Sequence, residues 1–100
     1  MAQRGQLTPA VKRFMEEFLG RETTQTELRL IPYIAYEAVN NQKVDPARVN
    51  LEERGIMRLW KNDGHFEGGM TGVAITREFW DFMQGVLWLA YVAYREQDDA

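Results

Sequence analysis

The chain has 100 residues, contains no cysteine and carries a formal net charge of −3. Its length predicts one domain spanning residues 1–100, because a chain of this size buries a core large enough to fold without disulfides or bound metal ions. The lack of cysteine excludes disulfides, thiolate zinc sites and thiol catalysis, and the acidic balance disfavours indiscriminate binding to phosphates.

The ends of the chain and its location in the cell are predicted from polarity. We expect residues 1–7 and 97–100 to be flexible ends. Residues 1–6 are polar and precede an amphipathic helix, so we expect no export signal and a cytoplasmic protein. The longest apolar run is far shorter than the roughly twenty residues that span a bilayer, so no membrane contact is expected.

The first predicted helix begins at Thr8 and Pro9 and ends before Gly20. Threonine is a good capping residue, proline fits the first helical position, and glycine is typical just after a helix. Between these signals, apolar side chains recur with helical spacing and indicate one buried face. They are Val11, Phe14, Met15, Phe18 and Leu19.

A second helix start lies at Thr24, because Thr24 and Glu27 have the spacing of a capping box. Pro32 interrupts the apolar pattern that follows, since proline lacks the N–H donor that an interior turn needs. It either kinks one long helix or begins a shorter one. We favour a shorter helix from Ile31 to Asn40 with an irregular lead-in.

The third predicted helix runs from Asn50 to about Lys61 and begins with a second capping box, formed by Asn50 and Glu53. Its inward residues are predicted to be Ile56, Leu59 and Trp60. Three cations stand along one outer edge, and they are Arg54, Arg58 and Lys61. These cations either bind phosphates, pair with Glu53 or stay hydrated.

Two short strands are predicted at His65–Glu67 and Val73–Ile75, joined by a glycine-rich turn into a β-hairpin. The glycines lack the lysine and hydroxyl spacing of a phosphate-binding loop. His65 is the one histidine of the chain, and no second histidine completes a metal site with Asp63 and Glu67. No nucleophile stands beside an evident base, so we expect neither an enzyme nor a bound metal or cofactor.

The last helix is predicted to run from Arg77 to Glu96, capped by Thr76. Nine consecutive apolar or aromatic residues, Val86 to Tyr94, lie inside it, so one core contact cannot cover it. Either the helix is central in the fold, or a second copy or another protein shares it. The residues assigned to such an interface are Gly85, Trp88, Leu89, Tyr91 and Val92.

Together these elements predict a mainly α fold: a small domain of about four helices with a short β-hairpin before a long C-terminal helix. One core should fill the space between the helices. Its predicted lining is Phe14, Phe18, Ile34, Ile56, Trp60, Phe79, Met83 and Val86. Tyr33 and Tyr36 lie off the apolar stripe of the second helix, where they either pack against a neighbouring helix or contact a partner.

The stretch from Asn50 to Phe82 resembles a winged helix-turn-helix module followed by a dimerisation helix. It holds a helix ending in Leu-Trp-Lys-Asn-Asp-Gly, then His-Phe-Glu, a glycine-rich turn, Val-Ala-Ile-Thr and a following helix. This resemblance implies a winged-helix-like fold in which the third helix enters the DNA major groove and the hairpin touches the DNA backbone. It assigns the DNA contact to Arg54, Arg58 and Lys61.

Two binding functions are predicted from these features. The first is a dimeric, winged-helix-like regulator associated with nucleic acid, with a homodimer seam along the last helix. The alternative is a phage-type protein-binding inhibitor or adaptor, of the anti-CRISPR kind, that blocks a host nucleic-acid-handling complex. Its motivation is the small size, the surface aromatics and a second half with nine acidic and five basic residues. The expected partner is DNA or a host protein complex, and no small-molecule substrate is expected.

Overall fold

Helices dominate the part of the chain that the structure describes, which is residues 3–40, 43–68 and 72–94 of a computed structural model. The elements in chain order are α1 (Pro9–Leu19), α2 (Gln25–Val39), α3 (Leu51–Asn62), β1 (Phe66–Gly68), β2 (Val73–Ile75) and α4 (Arg77–Leu87). A 3₁₀ turn, Pro46–Arg48, precedes α3, and a π-helical segment, Trp88–Val92, extends α4. The predicted fold class, mainly helical with a hairpin before the C-terminal helix, is confirmed. Within the described ranges, no helix is long and apolar enough to cross a bilayer.

Side-chain caps begin the four helices: α1, α3 and α4 start where predicted, and α2 starts after the capping signal Thr24 instead of at the favoured Ile31. The hydroxyls of Thr8, Thr24 and Thr76 each accept a hydrogen bond from the backbone N–H three residues later. Asn50 caps α3 in the same way, and the Glu53 carboxylate accepts the Asn50 N–H at 3.0 Å, which completes the capping box. Each cap satisfies donors that the first helical turn leaves open, so local sequence fixes where these helices begin.

α2 is one continuous helix, so the prediction of a shorter helix from Ile31 to Asn40 is wrong. Pro32 lies inside it and removes one backbone hydrogen bond, at a cost of about 3 kcal/mol. Leu28 and Ile34, on either side of the proline, are fully buried. Burial of such side chains contributes about 1.5–3 kcal/mol each, so packing outweighs the missing bond and the helix continues.

α4 lies at the centre of the fold, packed against both α1 and α2. Its inward side chains join those of α2 and α3 in a core that matches most of the predicted lining. The predicted core residues found buried are Ile34, Ile56, Trp60, Phe79, Met83 and Val86. Most apolar side chains of the last helix are therefore buried inside the protein, although Trp88 and Val92, which lie beyond the end of α4, are exposed.

The buried stripe of α1 is narrower than predicted. Phe14 and Phe18, which the sequence assigns to the core, are half-buried and pack against its edge. The enclosed positions of α1 are Val11, Met15 and Leu19. The Phe18 ring stacks on Phe82 at a centroid distance of 4.2 Å, so the two phenylalanines of α1 cover the flank of α4 instead of filling the interior.

β1 and β2 pair antiparallel, with Phe66 opposite Ile75. β1 begins one residue later than the predicted His65. Phe66 is buried against Trp60, with the two ring centroids 6.2 Å apart, and this contact fixes which residues of the hairpin face the core. The residues of the turn, 69–71, lie outside the described ranges.

α4 gives way to a π-helical turn where the sequence predicts regular helix as far as Glu96. The wider turn is marked by the Ala93 N–H, which donates to Trp88 O, five residues earlier, at 2.8 Å. In the same segment, Ala90 O accepts a hydrogen bond from Gly5 N at 2.7 Å. Tertiary structure thus supplies a backbone partner that no local pattern predicts. Glu96 itself lies outside the described residues.

The described part of the N-terminal segment is held against the fold, although the sequence predicts a flexible end there. The Gln25 side chain accepts the Leu7 N–H at 2.9 Å and donates to Gly5 O at 2.8 Å. Arg4 lies over the Tyr91 ring, 5.8 Å from its centroid. These contacts tie the segment to α2 and to the π-helical segment.

Candidate functional site

Three cations on the outer side of α3 meet at one cavity. Arg54, Arg58 and Lys61, which the sequence places along one edge, all line it. The cavity has a volume of about 370 Å³ and opens between α3, β1 and the segment before α3. We call it the α3 cavity, and its other lining residues are Val44, Val49, Met57, Phe66 and Gly68.

The floor of the α3 cavity is apolar. Val44, Val49 and Phe66 are buried, and Met57 is half-buried and packs against the core. These residues come from the segment before α3, from α3 itself and from β1, so the floor exists only after the chain has folded. The sequence predicts the cations of the rim but not the apolar surface beside them.

Hydrogen bonds hold the described residues just before α3, residues 43–50, although most of them are irregular. The Asp45 N–H donates to the Tyr33 hydroxyl at 3.0 Å, and the Asp45 carboxylate accepts the Ala47 N–H at 2.9 Å. Tyr33 therefore stabilises the fold, whereas Tyr36 has 58% of its surface exposed. The bonds at Asp45 hold the floor residue Val44 next to α3.

The rim of the α3 cavity is cationic. Among the described residues, neither Arg58 nor Lys61 forms a salt bridge, and no carboxylate of these residues lines the cavity. Lys61 Nζ lies 5.8 Å from the centroid of the Phe66 ring, a distance at which a cation and an aromatic face attract. An anion that reaches the rim therefore meets several positive charges at once.

The two glutamates near the start of α3 do not line the cavity. The Glu53 carboxylate is bound to the Asn50 N–H in the capping box, which draws it toward the helix N-terminus, where negative charge is favourable. Glu52 is two residues from Arg54, a spacing at which helical side chains do not face each other. Neither glutamate therefore places a carboxylate in the lining of the cavity.

The face of α3 beside the cations is open to solvent. Leu51 has 86% of its surface exposed and Leu59 has 42%, so the prediction that Leu59 points inward is wrong. The inward direction is set by Ile56 and Trp60, which lie four residues apart and are both buried. A methyl group added at Gly55 would meet no atom within 4 Å. A partner can therefore approach the α3 backbone closely at this glycine.

A buried carboxylate that sequence reasoning missed holds α3 in this orientation. Glu27 is 1% exposed and accepts the Trp60 Nε1–H at 2.7 Å. It also accepts the Thr23 hydroxyl at 2.7 Å and two Arg21 N–H groups at 2.9 and 2.6 Å. We call these four residues the Glu27 cluster. Because Trp60 lies on the inner side of α3, the cluster keeps the cations of the opposite side at the surface.

The Glu27 cluster corrects the capping-box prediction for α2. Thr24 accepts the Glu27 N–H as expected, but the Glu27 side chain turns inward instead of reaching back to Thr24. Its hydrogen bonds raise the pKa of the Arg21 guanidinium above the usual value. No spacing in the sequence indicates the bond to Trp60, which lies in another helix.

The predicted interface on the last helix is divided by the structure. Trp88 and Val92 are 60% and 58% exposed. They lie four residues apart and so share one side of the segment. These two residues, which we call the Trp88 face, are open to a partner.

The other residues assigned to that interface contact their own chain. A Cβ at Gly85 would come within 2.6 Å of Phe14 Cζ, so the element that approaches this glycine is α1. Leu89 and Tyr91 are half-buried against the core. Burial raises the pKa of the Tyr91 hydroxyl, and the positive charge of Arg29 opposes this shift.

His65 packs within an aromatic cluster. Its ring lies parallel to the Phe79 ring at a centroid distance of 5.0 Å and an interplanar angle of 5°, and the Phe18 ring lies at a centroid distance of 5.0 Å and a tilt of 37°. In the described part of the chain, no three His, Asp or Glu side chains are grouped to hold a metal ion. The contacts of His65 are those of a residue that joins the hairpin to α1 and α4.

Comparison of the chain with known protein families, curated proteins and solved structures finds no match. Three surface features of the described residues indicate how the protein binds a partner: the α3 cavity, the open face of α3 and the Trp88 face. Of these, the α3 cavity has both a defined shape and a defined charge.

Proposed function

We propose that this chain is a non-enzymatic binding protein that contacts nucleic acid through α3. The observation that carries the proposal is the convergence of Arg54, Arg58 and Lys61 on one side of an exposed helix. Lysine and arginine side chains supply most phosphate contacts in complexes with nucleic acids. A row of three such side chains can contact the phosphates of more than one nucleotide.

The open face of α3 suits a helix that enters a groove. Gly55 presents no side chain there, and a Cβ at that position has space on every side. Arg58 can donate two parallel hydrogen bonds to a guanine edge, and Leu51 can contact a thymine methyl group. The order of α3, hairpin and α4 is that of the winged-helix resemblance, and the described strand residues carry no lysine or arginine. The helix would therefore supply the cationic contacts in this proposal.

The test measures binding of a fluorescent random-sequence duplex by anisotropy at several salt concentrations. Each phosphate contact adds about 0.9 to the slope of log affinity against log salt, so Arg58→Gln/Lys61→Gln should weaken binding and lower that slope by about 2. Arg13→Gln is the matched control, because Arg13 is an exposed cation on α1. It should bind like the wild type.

Two results would contradict the proposal. One is a wild-type protein that does not bind the duplex at low salt. The other is an Arg58→Gln/Lys61→Gln variant whose affinity and salt slope equal those of the wild type, because phosphate contacts would then lie elsewhere.

A second candidate is a protein-binding inhibitor or adaptor of the phage type, and the Trp88 face favours it. Tryptophan is enriched at the centres of protein interfaces, and Trp88 keeps 60% of its surface exposed. A partner protein would bury this surface together with Val92. This candidate requires the face to be open in the free protein, so a monomer in solution favours it over a dimeric regulator.

A further inference from the structure

We infer that the α3 cavity binds a small amphipathic anion, namely a carboxylate or similar monoanion joined to an apolar body of several carbons. The inference concerns the free protein and goes beyond the proposed contact with nucleic acid. It follows from the apolar floor of the cavity, its cationic rim and its fixed walls.

The floor selects an apolar ligand body. Val44, Val49 and Phe66 are 2%, 7% and 1% exposed, so they form an apolar base beneath the cavity but are themselves almost completely covered by the protein. Met57 extends this surface from α3. A ligand with several carbons covers the half-buried Met57 and removes its apolar surface from water, whereas an inorganic anion would leave that surface in contact with water.

The rim selects a negative head group. Arg58 carries a planar guanidinium group that can bind a carboxylate through two parallel hydrogen bonds, and Lys61 adds a mobile point charge. No described carboxylate lines the cavity. A neutral ligand of the same shape would gain no charge-assisted hydrogen bonds from Arg58 and Lys61.

The walls are held in place by the fold. The hydrogen bond between Asp45 and Tyr33 fixes the segment that carries Val44, and the bond between Trp60 and Glu27 fixes the inner side of α3. The volume of about 370 Å³ lies near the lower end of the range of about 300–1,000 Å³ for small-molecule sites. Binding to a preformed site costs little free energy for ordering side chains and loops. A medium-chain fatty acid or an aromatic acid suits a cavity of this size.

Such a ligand would compete with nucleic acid for Arg58 and Lys61. An occupied cavity would then release the nucleic acid, which makes the ligand a regulator instead of a substrate. This consequence rests on the proposed function, whereas binding of the anion does not.

Three probes distinguish the contribution of the charged head group to binding from that of the apolar body. Octanoate carries both, butyrate carries the charge on a short body, and octanamide carries the long body without charge. Thermal unfolding of the full chain is followed with each probe at equal concentrations, below the range in which octanoate forms micelles. A ligand of the native state raises the unfolding midpoint. We expect a clear rise with octanoate and much smaller rises with butyrate and octanamide.

Two variants locate the site. Arg58→Gln/Lys61→Gln changes exposed side chains and should weaken octanoate binding by at least about tenfold, because charge-assisted hydrogen bonds are lost. Arg13→Gln is again the matched control and should bind octanoate like the wild type.

Three outcomes would overturn the inference. They are the absence of a shift with octanoate, equal shifts with octanoate and either other probe, and unchanged octanoate affinity in Arg58→Gln/Lys61→Gln. No nucleic acid is present in this measurement. A failure of the proposed nucleic-acid contact would therefore leave the result unaffected, and the two failures are distinguishable.

Discussion

At the scale of single residues, Glu27 shows how one side chain fixes the relation of two helices. It accepts hydrogen bonds from Arg21 and Thr23, which precede α2, and from Trp60 of α3. A buried carboxylate is tolerated when its charge is paired and its oxygens are hydrogen-bonded. Glu27 meets both conditions, so the loss of this side chain leaves several donors without an acceptor.

We predict that Glu27→Ala lowers the free energy of unfolding by about 3–5 kcal/mol, the range for breaking a buried charge pair. Urea unfolding followed by tryptophan fluorescence measures the change. Glu27→Gln keeps an acceptor for Trp60 Nε1 and should cost less. Glu22→Ala, at an exposed position in the same segment, is the control and should change stability by less than about 0.5 kcal/mol. Equal urea midpoints for Glu27→Ala and Glu22→Ala would contradict the role of the cluster.

Glu16 gives the fold a dependence on acid. The Thr23 N–H donates to its carboxylate at 3.0 Å, and this bond, with help from Lys12, holds the pKa of Glu16 below its ordinary value of 4.5. Because the folded pKa is the lower one, the stabilisation is present above the unfolded pKa and is lost as the pH falls through the folded pKa. The acid limb of the stability curve should therefore depend on Glu16.

We predict that Glu16→Gln lowers stability at neutral pH and flattens the decline in stability below about pH 4.5. Urea midpoints measured at a series of pH values test this. Glu17→Gln is the matched neighbour, since its side chain is exposed, and it should follow the wild-type curve. A Glu16→Gln curve parallel to that of the wild type would contradict the prediction.

At the scale of elements, local signals set where the helices begin, and packing sets how far they continue. Pro32 does not end α2, because buried side chains on both sides of it stabilise the longer helix. The α-helical geometry of α4 ends at Leu87, and a π-helical turn follows in which Ala90 O takes a hydrogen bond from Gly5. In both cases a neighbouring element changes the outcome that local propensity favours.

The contact between Phe14 and Gly85 tests the packing of α1 on α4. A methyl group at Gly85 would lie 2.6 Å from Phe14 Cζ, so we predict that Gly85→Ala lowers the thermal unfolding midpoint of the wild type. In a Phe14→Ala background the clash is absent, and alanine is more favourable than glycine in a helix by about 1 kcal/mol. Gly85→Ala should therefore raise the unfolding midpoint in that background. Unfolding of the four proteins in this cycle measures the coupling. A change of the same sign in both backgrounds would contradict the contact.

At the scale of the whole molecule, the two candidate binding surfaces, the α3 cavity and the Trp88 face, belong to different parts of the fold. The cations of the α3 cavity lie on the third helix, and the Trp88 face lies on the segment that extends the fourth. A protein built this way can associate through one surface and still bind an anion at the other. The net charge of −3 makes the local cationic rim, instead of the overall field, the source of attraction for an anionic partner.

We predict that the proposed regulator is a dimer that Trp88→Glu converts into folded monomers. Light scattering gives the mass, and circular dichroism shows whether the variant is folded. Trp88 suits this test because it is exposed, whereas Leu89 packs against the core and a charge there would destabilise the monomer. A wild-type monomer would contradict the dimer and favour the protein-binding candidate, with the Trp88 face open to another protein.

The sequence predicts the cations of the candidate site, but it does not predict the cavity that they line. Arg54, Arg58 and Lys61 are close in sequence, so helical spacing alone places them along one edge. The floor brings Val44 and Phe66 together from segments on either side of α3, and no local rule predicts that meeting. The inward turn of Glu27 was missed for the same reason, because its partner Trp60 lies in another helix.

Sequence alone determines the starts of α1, α3 and α4, the hairpin and most of the core, because caps, turn residues and apolar periodicity act within a few neighbouring residues. The tertiary structure alone decided the continuity of α2 through Pro32, the π-helical end of α4, the burial of Glu27 and the shape of the α3 cavity. Each of these depends on atoms from segments distant in the chain. Their free energies come from packing and from hydrogen bonds between elements, which form only when the whole chain has folded.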